Sequence, residues 1–188
     1  MEQIQRNDII RFHVPCKLEY TKLVEEVTGQ IGVYLHKKVD REIRQKLRAV
    51  MNEVFINIVK HSDTAAQNEV VRFQFEIGLD YLTISIYDYG PGFKAEGSFP
   101  PYPDSLCGKT FKLRDVIDGT VYFSVINPME VSFSFEEKEE TDLDQLDELS
   151  VLNDHGLGIS IITKLMDTVT YTYIGHGKFD WKLIKRLR

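Results

Sequence analysis

Disulfide bonding has little to work with in this chain, because only Cys16 and Cys107 occur among its 188 residues. Two thiols cannot staple a scaffold, and neither lies in a CxxC pair or in a Cys/His cluster with metal-ligand spacing. A reducing compartment is the natural setting. Long apolar runs are missing too. No stretch approaches the ~18 residues that mark a membrane-spanning helix, and the opening "MEQIQRNDIIRFHV" has no basic start followed by an apolar segment. Positive charge is in deficit, with 23 Lys and Arg against 29 Asp and Glu. Neither a nucleic-acid footprint nor a polybasic membrane patch is visible. The expectation is a soluble, cytoplasmic protein without a nucleic-acid or membrane partner.

What the chain does have is an apolar content of 43%, enough for the core of one domain over residues 1–188. Its acidity is local. Residues 136–148, "EEKEETDLDQLDE", hold eight acids and one lysine, so a net charge of −6 leaves +1 for everything else. That run belongs to residues 94–150, which carry four of the six prolines and read as an extended lid insertion of low regularity. Within it, 120–137 reads as a hairpin turning at Asn127-Pro128.

Alternation and helical spacing place the other elements. "DIIRFHV" (8–14) reads as a strand, and Leu18 to about Lys37 as a helix interrupted by Gly29 and Gly32. A second helix runs from an N-cap at Asp40 to His61. Strands over 68–77 and 81–88 pair as an antiparallel hairpin through "GLD". After the acidic run come a helix over 156–167 and strands over 168–174 and 178–187.

Three motifs stand out from this background. In the second helix, Glu53, Asn57 and His61 recur every four residues along the edge of an apolar stripe, a polar ridge about 12 Å long. Next, "DYGPGF" ends a strand at Asp88 and turns sharply through Gly90 and Gly92, where an acid could accept a hydrogen bond from a ligand amine. Finally, "DHGLGIS" puts Gly156, Leu157 and Gly158 at a loop-to-helix junction, where free backbone N–H groups favour a phosphate. Taken singly, each has a plain structural reading: a solvated helix edge, an ordinary turn, a helix start. The ending of "SLCGKT" is not a P-loop, since the glycine that motif requires would fall at Pro103.

In this order and at these separations, the segments resemble the N box and the two glycine boxes of the Bergerat-fold ATPases shared by histidine kinases, gyrase and MutL. Glu-x3-Asn-x3-His, the small size and the ending "LMDTVTYTYIGHGKFDWKLIKRL" look most like the anti-sigma-factor serine kinases of the RsbW and SpoIIAB type. The resemblance implies an α+β fold, a two-layer α/β sandwich with a mixed, mostly antiparallel sheet. It further implies ATP and Mg²⁺ as cofactors. Glu53 would be the general base, Asn57 the Mg²⁺ ligand and His61 a supporting residue near the lid. Asp88 would accept from the adenine amino group, Gly90 and Gly92 would admit the base, and the Gly156-Leu157-Gly158 core would hold the phosphates.

Partners implied in the same way are a sigma factor, a STAS-domain anti-anti-sigma protein as phosphorylation substrate, and a second copy of the chain through the first strand and helix. Two alternatives share the ATP site: an RsbT-like switch kinase, and a nucleotide-gated binding module without kinase activity. One departure from the family pattern favours the latter. Asp154 and His155 precede the Gly-Leu-Gly core, and an acid there needs a compensating cation, for which Lys109, Lys112, Arg114 and Lys164 are candidates.

Overall fold

The computed structural model describes residues 8–35, 41–116, 118–138 and 157–187. Period-two burial organises its sheet. In β2 (Val70–Ile77), Val71, Phe73 and Phe75 are buried while the residues between them are not. The buried apolar residues of β3 (Tyr81–Tyr89), β5 (Gly119–Asn127), β6 (Glu130–Glu137), β7 (Thr168–Gly175) and β8 (Lys178–Arg186) alternate likewise, with Ser85, Thr120 and Asp180 as buried polar residues between them. Together with β1 (Asp8–Pro15) and β4 (Thr110–Val116) they form one sheet in the order β1-β2-β3-β8-β7-β6-β5-β4. Every pairing is antiparallel, so among the described residues the sheet contains none of the parallel pairs a mixed sheet would have.

Three helices among the described residues bring apolar stripes to the buried face. They are α1 (Thr21–Tyr34), α2 (Arg41–His61) and α3 (Leu157–Leu165). From α2, Leu47, Val50, Met51, Val54, Phe55 and Ile58 enter the core, following the three- and four-residue steps of a helix face. Phe55 is fully buried and lies 6.1 Å from the Phe73 ring of β2. No described helix is long and apolar enough to cross a membrane.

The glycines inside α1 have a packing cause. A Cβ on Gly32 would come within 3.1 Å of the Arg44 side chain, and one on Gly29 within 3.3 Å of Arg48. Small residues there let α2 approach, and Arg48 closes the contact by pairing with Glu25 at 2.6 Å. The first helix is shorter than its sequence pattern. Leu18–Tyr20 forms a separate 3-10 turn, and the Thr21 hydroxyl donates to the Leu18 carbonyl at 2.6 Å. The expected N-cap at Asp40 lies outside the described residues.

Part of the segment expected to be irregular is regular. Residues 110–137 make three strands that extend the sheet, including β4, for which no signal was read. The turn at Asn127-Pro128 is where the pattern placed it, with the Asn127 side chain accepting from the Met129 N–H at 2.9 Å. This extension joins β7 through only three register pairs, Glu130↔Thr172, Val131↔Tyr171 and Ser132↔Thr170. Most of the acidic run, residues 139–148, lies outside the described residues.

Truncating Phe55 tests how α2 is seated. Phe55→Ala should lower unfolding free energy in urea by about 3–5 kcal/mol, the usual cost of deleting a buried ring. A loss under about 1 kcal/mol would mean that α2 does not rest on β2 as described.

Candidate functional site

The end of α2 and the end of β3 are tied to one another. Past His61 the chain turns so that the Asp63 N–H donates to the Tyr89 carbonyl at 2.7 Å, while the Tyr89 N–H donates to the Thr64 hydroxyl at 2.9 Å. Thr64 is buried, and its hydroxyl also accepts from Ser62 at 2.9 Å. On the other side, the Gly90 N–H donates to the Gly177 carbonyl in the β7–β8 turn at 2.9 Å. The "DYGPGF" turn is thereby fixed between α2 and the β7–β8 hairpin.

Between these anchors lies a cavity of about 390 Å³. Asn57 and His61 line it from α2, Asp88 from β3, and Gly90 and Gly92 from the turn. Gly92 has φ +80°, and a Cβ there would strike Phe179 at 2.8 Å and Pro100 at 2.9 Å, so only glycine fits both the backbone and the space.

Asp88 is 3% exposed. Its Oδ1 accepts from the Tyr171 hydroxyl at 3.0 Å. Burial pushes its carboxyl up from 3.8 to about 7, against the lowering effect of hydrogen bonds from Tyr171 and Trp181. The Tyr171 hydroxyl is pushed up in turn, first by burial and then by the neighbouring carboxylate. A buried carboxyl that lines a cavity suits recognition of a ligand that offers hydrogen-bond donors.

The polar ridge on α2 is divided by α3. A Cβ on Gly158 would come within 2.7 Å of Asn57 Nδ2 and 2.8 Å of Glu53 Oε2, so α3 crosses α2 where these two side chains stand. Asn57 reaches the cavity beyond this crossing, whereas Glu53 does not line it. Leu157 opens α3, and Ile159 joins the cavity lining. Gly156, Asp154 and His155 lie outside the described residues.

Four cavity residues, Tyr171, Trp181, Phe93 and Leu113, have no role assigned from sequence, whereas Arg114 is among the four cations named there as candidates. Tyr171 and Trp181 form the floor beside Asp88, with ring centroids 4.4 Å apart. They sit in strands whose parity could have shown them facing Asp88, since Tyr171 pairs with Trp181, and Phe179 with Asp88. Phe93 lies edge-on to Phe133 at 4.9 Å and to Tyr171 at 5.5 Å, bridging the β4–β6 extension and the rest of the sheet. Leu113 and Arg114 reach the cavity from β4.

An antiparallel sheet with helices packed on it, and a cavity between α2, the end of β3 and the first turn of α3, defines an α+β domain with a candidate ligand site. The model of the histidine kinase-like ATPase domain family matches residues 15–179, and the chain belongs to that family. Membership implies ATP binding. No curated protein matches the chain.

The raised Asp88 carboxyl carries a sign that can be checked. In the unfolded chain the group titrates near 3.8, in the folded chain near 7, so folding favours its protonated form. That contribution is complete below about pH 3.8 and is lost as pH rises to about 7. Urea unfolding at pH 4.5 and pH 8 should therefore show a larger fall in stability for the wild type than for Asp88→Asn. Equal falls would mean that Asp88 titrates as an ordinary surface acid.

Proposed function

We propose that the protein is a Mg-ATP-dependent protein-serine kinase of the anti-sigma-factor type, acting in the cytoplasm as a homodimer. On this reading it binds a sigma factor and phosphorylates a STAS-domain antagonist. The observation that carries it is the meeting of Glu53 and Asn57 with Gly158 at the first turn of α3, beside the cavity that Asp88 floors. Residues from the three sequence motifs converge on one place, as phosphoryl transfer from a nucleotide requires. That reaction needs positioning and charge neutralisation more than covalent help from the protein.

The donors present suit Mg²⁺. Among the described residues no group of three or more His, Cys, Asp or Glu side chains is placed to hold a metal. Mg²⁺ prefers one or two protein oxygens completed by phosphates and waters, and the Asn57 amide supplies such an oxygen. When bound, the ion neutralises phosphate charge. Asp88 would accept from the adenine amino group, and Gly90 and Gly92 would leave room for the base. Bound ATP would supply the γ-phosphoryl group to the serine oxygen, with ADP as the leaving group, and Glu53 would take the hydroxyl proton. A dimer is supported by β1, an edge strand, and by the exposed Leu23 and Tyr34 of α1.

A second reading, in which ATP is held without transfer, is favoured by the position of Glu53 against α3 and off the cavity lining. Mg-ATP, a lysate fraction and phosphosite mapping decide between them. The kinase reading expects serine phosphorylation of a captured STAS protein, lost in Glu53→Ala while ATP affinity stays within about threefold. It also expects Asn57→Ala to lose the Mg-dependent part of ATP affinity, measured by calorimetry. ATP binding with no phosphorylated serine, and no difference between the wild type and Glu53→Ala, would leave the binding module.

Gly158→Ala gives a geometric check on the same site. The added methyl displaces the ends of Asn57 and Glu53 and no backbone, so ATP affinity should fall about tenfold or more while the melting temperature changes little. Unchanged affinity would place the nucleotide elsewhere.

A further inference from the structure

β4 breaks its own alternation once. Phe111 pairs with Phe123 and Lys112 with Tyr122, but Arg114 pairs with Val121, so Leu113 is an extra residue in the strand. Paired residues share a face of the sheet. Phe123 and Val121 are both buried, which puts Phe111 and Arg114 on the helix-covered side and Lys112 on the other. Without the bulge, Arg114 would follow Lys112 to the open face. One inserted residue turns a guanidinium toward the cavity, a use that bulges often serve beside functional sites.

The other cations named as candidates from sequence are engaged elsewhere. Lys109 pairs with Glu96 at 3.3 Å, and Lys112 with Asp115 at 2.5 Å. Lys164 pairs with Asp118 and lies 4.2 Å above the Phe135 ring. Arg114 has no acidic partner among the described residues, and it is the only lysine or arginine among those lining the cavity. The cavity thus carries a carboxyl on its floor and a guanidinium on its wall. That polarity fits a ligand with hydrogen-bond donors at one end and an anion at the other.

We propose that Arg114 is the phosphate-recognising residue of this cavity, aimed there by the bulge at Leu113, and that it gives the site its preference for nucleoside polyphosphates over the bare nucleoside. The proposal rests on the nucleotide reading of the cavity. The planar guanidinium suits two phosphate oxygens at once, which an ammonium group cannot match.

Calorimetry on the full chain with Mg-ATP, Mg-ADP and adenosine tests it in the wild type, Arg114→Ala and Arg114→Lys, each checked for an unchanged melting temperature. Arg114→Ala should weaken both nucleotides roughly 10- to 100-fold and leave adenosine unaffected, as expected for loss of charged hydrogen bonds. Arg114→Lys should fall between, keeping the charge without the fork. Equal weakening of all three ligands would overturn the proposal, because Arg114 would then be shaping the cavity. So would nucleotide affinities untouched in both variants. If the wild type binds none of the three ligands, the nucleotide reading itself fails and takes the proposal with it. Wild-type binding with indifferent variants removes the Arg114 assignment alone.

Discussion

Burying the carboxyl of Asp88 constrains nearly everything around the cavity. A buried carboxyl without partners is costly, and this one is offset by the Tyr171 hydroxyl, reached across β8. That contact requires β3, β8 and β7 to be neighbours in one register. Phe179 lies opposite Asp88 in β8 and stacks on Tyr171 at 4.5 Å, so the aromatic floor and the acid are set by the same pairing. The end of β3 is in turn held by Thr64, which brings the last turn of α2 alongside. Moving the acid by one residue along the strand would turn it to the open face and leave Tyr171 without its acceptor.

Much of this was legible in the sequence because it is local. Alternation in "VVRFQFEI" and "YLTISIYD" marked both strands and the residues they bury, and the spacing from Leu47 to Ile58 marked the buried face of α2. The ridge of Glu53, Asn57 and His61 was also readable, but its division was not. Where α3 crosses α2 is decided by packing between segments a hundred residues apart, and no local period reports it. Gly29 and Gly32 looked like interruptions of a helix, yet they mark where α2 comes close.

β4 was missed for a related reason. Its bulge gives "TFKLRDV" a broken alternation, burying neighbours Leu113 and Arg114 to similar degrees, and so hides a strand from any test based on period two. Phe93 was equally unreadable, since its value lies in meeting Phe133, Tyr171 and Trp181 from three different strands. Sequence order placed it in a turn. Only the assembled sheet makes it a bridge.

The three pairs between β6 and β7 are the shortest pairing in the described sheet. The cavity's floor and its wall therefore belong to two parts of the sheet joined by few backbone hydrogen bonds and a cluster of rings. Such a joint tolerates change unevenly. Leu113 and Arg114 of the wall can change without touching the bond between Tyr171 and Asp88, whereas Phe93, packed on Tyr171 and Trp181, shares the constraint of the floor. Divergence of binding preference in a protein built this way has an easy route through the wall, with the core sheet left as a fixed inheritance.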